Sequence, residues 1–186
     1  MTDARRIHDA LIAGELGREH LTARGLGTFL GATTSRVYTH HGSLDGLLFA
    51  VAGEGFRGLA THLAAALRGG LPDVAEAYVA WGLDHPVLYE LMFVRPYDWA
   101  ALRAAGVATE GPGVALWKAL RGELAAAGST DPAADARVLY AGVHGLVSLA
   151  VGGRANIGQL DISDRDAALA AARRLATRLC PLQESP

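Results

Sequence analysis

The sequence holds a single cysteine, Cys180, in 186 residues. One thiol rules out an internal disulfide framework and the multi-cysteine patterns of secreted domains or zinc ribbons. Apolar runs are short as well. None approaches the roughly 20 residues that span a bilayer, and the N-terminal stretch MTDARRIHDALIAGEL is broken by Asp9, Gly14 and Glu15 where a signal peptide would be continuous. A cytoplasmic chain with no membrane partner is the expectation. Net charge is equally scarce: −2 at pH 7 gives no overall attraction to nucleic acid, so any DNA-binding surface has to be local. Isoleucine occurs only at Ile7, Ile12, Ile157 and Ile162. The dominance of Ala and Leu over β-branched residues favours helix over sheet.

What is present suits a compact helical chain, 51% hydrophobic and 19% charged. Its length fits one domain, or a small and a larger unit sharing a core. Ser43 is placed to cap a long helix whose Leu44, Leu47, Leu48, Val51, Gly55, Leu59, Leu63 and Leu67 recur at threes and fours until Gly69-Gly70. A further segment starts at Pro72, runs to His85 and breaks at Pro86, after which PVLYELMFV reads as a short apolar helix ended by Pro96. Gly111-Pro112-Gly113 punctuates again, and Trp117, Leu120 and Leu124 share a face of the next helix while Lys118 points away. Asp131-Pro132, after Ser129-Thr130, starts a helix to about Gly152. Ser163 with Asp166 resembles a capping box for a last helix with Asp164 and Asp166 early and Arg173, Arg174 and Arg178 late, as the macrodipole prefers.

The most informative stretch is LTARGLGTFLGATTSRVYTHHGSLDGLL. Thr22 caps about two helical turns with Leu26, Phe29 and Leu30 inward, Gly31 makes a tight corner, and Thr33 or Thr34 caps a second short helix carrying Val37 and Tyr38. This is helix-turn-helix spacing. In that geometry the second helix lies in the major groove, with Thr34, Ser35, Arg36 and Thr39 facing base edges and phosphates. Thr22, at the positive end of the first helix, is placed for a phosphate contact.

These residues resemble the N-terminal domain of the tetracycline-repressor-like (TetR) family of bacterial regulators over residues 5–50. The resemblance rests on LTARGLGTFLG, on ATTSRVYTHH with its tyrosine-x-histidine pair Tyr38 and His40, and on SLDGLLFAV opening the long helix. Gly27 replaces a small alanine and Val37 a leucine, which keeps the packing. His41 stands where the family has phenylalanine, Thr39 at a position often basic, and Leu44 at one usually lysine. Lost cations weaken the sequence-independent term, so modest affinity or compensation by Arg5, Arg6 and Arg24 is expected. The resemblance implies a DNA-contacting set of Thr22, Arg24, Thr33, Thr34, Ser35, Arg36, Tyr38, Thr39 and His40.

Further along, HPVLYELMF and YAGVHGLVSLAVGG resemble the effector domain of a subgroup named for a tryptophan-histidine-glycine (WHG) pattern, with Tyr140 in place of the tryptophan. The resemblance implies a small molecule bound in the helical core and dimerisation through the last two helices. Tyr140, His144 and Ser148, at i, i+4 and i+8, form one polar line on a helix otherwise apolar nearly all round. A buried histidine there either meets ligand or is satisfied within the core. Met92, Phe93, Trp117 and His144 are the expected ligand contacts, with core filling as the alternative for each aromatic.

Sharper chemistries lack their context. GEGFRG, residues 53–58, matches a dinucleotide-binding string, yet helical periodicity runs through it to Leu67. The adjacent His40-His41 point about 100° apart on a helix and lack the spacing of metal ligands. No nucleophile elbow occurs, and Cys180 sits at a helix end beside Pro181. No catalysis, cofactor or metal is assigned.

The expected architecture is all-α. A three-helix helix-turn-helix domain over residues 1–46 is joined by a long helix to an effector-binding and dimerisation bundle over 47–186. Two recognition helices spaced by about 34–36 Å read a palindrome, so a homodimer is expected. The small-residue stripe Ala168, Ala172, Leu175, Ala176 and Leu179 suits either a dimer seam or packing within one chain. The rival reading is a helical small-molecule-binding or interaction protein with a degenerate reading head.

Overall fold

The computed structural model describes residues 1–33, 41–107, 112–152, 156–157, 160–161 and 164–179. They form nine α-helices: α1 Asp3–Ile12, α2 Ala23–Leu30, α3 Leu44–Ala66, α4 Leu71–Asp84, α5 Pro86–Tyr89, α6 Trp99–Ala104, α7 Pro112–Ala126, α8 Pro132–Val151 and α9 Arg165–Leu179. Among the described residues the sole strand pairing is a two-residue antiparallel ladder, Asn156 opposite Asp161 and Ile157 opposite Leu160. The all-α expectation therefore holds. No helix among the described residues is long and apolar enough to cross a membrane.

The chain forms two compact units, residues 1–58 with 85–112 and residues 59–84 with 113–186. In the first, the apolar positions of α1 (Ala4, Ile7, Ala10, Leu11), of α2 (Leu26) and of the first half of α3 (Leu47, Leu48, Val51, Ala52) are buried. Ser43 Oγ accepts the Gly46 N–H at 2.9 Å, the expected cap of α3. At Gly55 a β-carbon would lie 2.6 Å from Met92 Sδ and 3.1 Å from Leu88 Cδ1, so the missing side chain is what lets residues 88–92 close on α3.

Residues 86–94 are not one helix. After the single turn of α5, a π-helical turn, Glu90–Val94, takes over and ends with Arg95 N–H donating to Glu90 O at 2.8 Å. Pro96 then pushes Arg95 into extended backbone, φ −60° and ψ 125°. The next helix, α6, was not expected. Asp98 Oδ1 accepts the N–H groups of Ala100 and Ala101 at 3.1 and 2.9 Å and starts it.

In the second unit α9 packs most extensively along α4 and also against α8. Ala168, Ala172 and Ala176 are fully buried there, so the small-residue stripe serves packing within one chain. Gly142 of α8 makes room for Leu175 of α9. Arg165 forks onto Asp84 at 2.6 and 2.9 Å, and Arg173 binds Glu76 at 2.6 Å and Asp73 as well. Asp131 Oδ1 caps α8 through the Ala134 N–H at 3.0 Å, as the Asp-Pro signal predicts. At α9 the described cap is Asp164, whose Oδ1 accepts the Asp166 N–H at 3.0 Å; Ser163 of the expected box lies outside the described residues.

Candidate functional site

The candidate DNA-reading head begins at Thr22. Its backbone is extended, φ −119° and ψ 157°, and its Oγ1 accepts the Gly25 N–H at 3.0 Å, so the side chain caps α2 while remaining exposed. Arg24 is exposed in the first turn of α2, and Leu26 and Gly27 are buried on the opposite face. Gly31 closes the helix in the left-handed region, φ 64° and ψ 34°. Its N–H donates to Thr28 O at 3.2 Å and that of Ala32 to Gly27 O at 2.8 Å. A β-carbon would strain this corner, which is why glycine occupies it. Thr33 follows, exposed. Thr34, Ser35, Arg36, Tyr38, Thr39 and His40 lie outside the described residues.

Of the cations expected to compensate for lost basic groups, Arg5 is committed to Asp9 at 3.0 Å and to Glu54 at 3.6 Å. Arg6 lies over the Phe29 ring, 5.9 Å from its centroid. Arg24 has no ion pair among the described residues, and beside it an open depression is lined by Leu16, His20, Thr22, Thr28 and Phe29. His41 faces α1, its Nε2 lying 3.7 Å from Asp3 Oδ2.

The four expected ligand residues divide between the two units. Met92 and Phe93 stand on the π-helical turn of the first, where Met92 is buried and Phe93 meets Phe56 edge-on at 5.1 Å and Tyr89 at 4.8 Å. Trp117 and His144 come together in the second. The Tyr140 ring stacks on His144 at 5.3 Å and 23°, and Trp117 approaches Tyr140 edge-on at 6.3 Å. Tyr78 Oη lies 3.4 Å from His144 Nδ1. Ser148, one turn beyond His144, has a buried Oγ with no hydrogen-bond partner among the described residues.

Desolvation sets the charge state of this cluster. Burial pushes the His144 imidazole below its ordinary value and the Tyr140 phenol above its own, so at neutral pH both are uncharged. The cluster offers flat rings, a neutral imidazole and a buried hydroxyl with no partner among the described residues, which is chemistry for holding a ligand. Tyr78 was not expected here. It reaches His144 through the packing of α4 on α8, across 66 residues of sequence.

No curated protein matches the sequence. Residues 71–175, more than half of the chain, match the family model described as the tetracyclin repressor-like C-terminal domain. That span holds α4 through most of α9, including the Tyr78, Trp117, Tyr140, His144 and Ser148 cluster. The chain belongs to the tetracyclin repressor-like family.

Proposed function

We propose that this protein is a cytoplasmic transcriptional regulator of the TetR type, a repressor that binds a palindromic operator as a homodimer and is released by a small, largely apolar effector. The observation that carries the reading is the corner at Gly31, which follows a Thr22-capped helix of eight residues and precedes the segment with the Tyr38-x-His40 pair. A short capped helix, a left-handed corner and a hydroxyl-rich second segment are what a helix-turn-helix needs to present one helix edge to a groove. Exposed Thr22, Arg24 and Thr33 are the described members of the DNA-contacting set. Thr34, Ser35, Arg36, Tyr38, Thr39 and His40 complete it.

The effector site of this reading centres on Trp117 and His144, joined by Tyr78, Tyr140 and Ser148; the Tyr140, His144 and Ser148 line on α8 supports membership of the WHG subgroup. Met92 and Phe93 are the remaining proposed contacts. Release requires that effector favour one arrangement of the two reading heads over another. The lever is α3, continuous from Leu44 to Ala66.

The test is binding to the DNA flanking the protein's own gene across a salt series, with Arg36→Ala and Tyr38→Ala beside the unaltered chain. Affinity falls with salt, a palindrome is protected, and both variants lose the specific complex. No protected palindrome, together with equal binding by the variants, sinks this reading in favour of a small-molecule-binding protein with a degenerate head.

A further inference from the structure

The first turn of α3 follows directly on the candidate reading segment and brings an anion. Ser43, Leu44 and Asp45 supply no cation of their own there. Asp45 stands five positions after His40, an extended reach of at most about 18 Å, and between them Gly42 turns the chain at φ 69°. With the reading segment in a groove, a carboxylate in this turn repels any phosphate that comes within the range of screened electrostatics, about 8–10 Å at physiological salt.

The cation arrives from 50 residues away. Arg95 Nη2 donates to Asp45 Oδ1 at 2.7 Å. The guanidinium is held in place, its carbon 5.7 Å from the centroid of the Tyr97 ring. Tyr97 in turn donates its hydroxyl to Leu91 O at 2.8 Å and packs edge-on against Phe49 at 5.4 Å. Both side chains of the pair remain partly open, Arg95 33% and Asp45 34% exposed. Arg95 Nε has no partner among the described residues. The same segment continues into α6, where Arg103 is exposed, and Ala105 just after it lies beside Gly42.

We infer that Arg95 is a positioning residue for DNA binding, which cancels the negative charge that Asp45 puts on the first turn of α3. The π-helical turn and Pro96 are the means of delivery, since they end the helix where the Arg95 side chain reaches α3. The inference rests on the DNA-binding reading above.

A structural ion pair and an electrostatic screen respond oppositely to loss of the acid. The experiment measures anisotropy of a labelled duplex carrying the DNA next to the gene, with Arg95→Gln, Asp45→Asn and the double variant of the full chain, at low and high salt. Arg95→Gln is expected to weaken binding on the order of 5-fold at low salt, with the gap closing at high salt. Asp45→Asn binds at least as tightly as the unaltered chain, and the double variant returns to within about 2-fold of it. Weaker binding by Asp45→Asn, with no rescue in the double variant, makes the pair a fold contact and overturns the inference even where Arg95→Gln folds poorly. If the unaltered chain shows no specific complex, the DNA-binding reading itself falls and takes the inference with it.

Discussion

Leu175 of α9 fills the space that a side chain at Gly142 of α8 would occupy: a β-carbon built there overlaps Leu175 Cδ2. The helices approach closely because one side of the contact is a hydrogen atom, and the buried Ala168, Ala172 and Ala176 let α9 lie as closely on α4. Gly142→Ala is expected to destabilise the fold, the overpacking cost of about 1–3 kcal/mol outweighing a helix-propensity gain of about 0.5–1 kcal/mol. Gly122→Ala is the control, since nothing lies within 4 Å of a β-carbon in the exposed middle of α7. There the change raises stability by about 0.5–1 kcal/mol through helix propensity. Urea denaturation of both variants checks the pair, and equal effects would contradict the packing described.

Thr22 Oγ1 accepts the Gly25 N–H at the start of α2. Thr22→Ala removes that cap and is expected to cost about 1 kcal/mol, whereas Thr22→Ser keeps the oxygen and most of the stability. Hydrogen exchange of the α2 amides reads the loss locally. Unchanged protection in Thr22→Ala would mean the cap does not hold the helix.

Acid should weaken the second unit through His144. Its folded value is depressed by desolvation below the ordinary 6.5, so the unfolded chain takes up a proton on acidification before the folded chain does. The unfolded state therefore binds more protons in the window just below pH 6.5, and stability falls as pH drops through it. Denaturation midpoints at pH 7.5 and 5.5 should differ less in His144→Gln than in the unaltered chain. An equal difference in the two would show that His144 contributes nothing to the acid sensitivity.

Much of this architecture was legible wherever a local chemical signal coincides with an element end. Asp131-Pro132 starts α8 because a capping side-chain oxygen and a residue lacking an N–H both suit a helix N-terminus, and Ser43 starts α3 for the first of those reasons. The helix α6 escaped because six residues are too few to show a 3.6-residue period, although Asp98 was a readable cap. The π-helical turn escaped because Glu90–Val94 is composed like any apolar helix, and what distinguishes it is a hydrogen bond made one residue later. In the candidate sites, the polar line Tyr140, His144 and Ser148 was visible as a period. Its partner Tyr78, like the Arg95–Asp45 pair, depends on packing between distant segments, which no spacing encodes. The alanine stripe of α9 announced a close neighbour without saying which, since small residues suit a helix of the same chain and of a second chain equally.

Ser148 separates stability from binding. A buried hydroxyl with no partner among the described residues carries a desolvation cost that an alanine does not. Ser148→Ala is expected to leave thermal stability unchanged or to raise it by up to about 1 kcal/mol. If the cluster is the effector site, any compound that raises the melting temperature of the unaltered chain in a screen of uncharged planar aromatics should do so less in Ser148→Ala. A clear loss of stability without ligand would instead mean that the hydroxyl is bonded in the folded protein.

The proposed homodimer needs a surface that the stripe on α9 does not supply, since those alanines are consumed inside one chain. The candidate is the outer face of α8. Val138 and Leu149 are 50% and 39% exposed there, and Gly145 between them has open space at its β-position. Offsets of 7 and 11 residues put all three within about 20° of one line along the helix, and a glycine at its centre allows a second helix to come close. Scattered exposed aliphatics are ordinary on a monomer, so alignment is the stronger part of the argument. Val138→Lys and Leu149→Lys place charges on this line without touching the buried face of α8. Each is expected to shift a micromolar sample from dimer to monomer in sedimentation velocity and, by uncoupling the two heads, to weaken palindrome binding far more than binding to a single half-site. Variants that stay dimeric would move the interface elsewhere, and a monomeric unaltered chain would remove the homodimer from the proposed function.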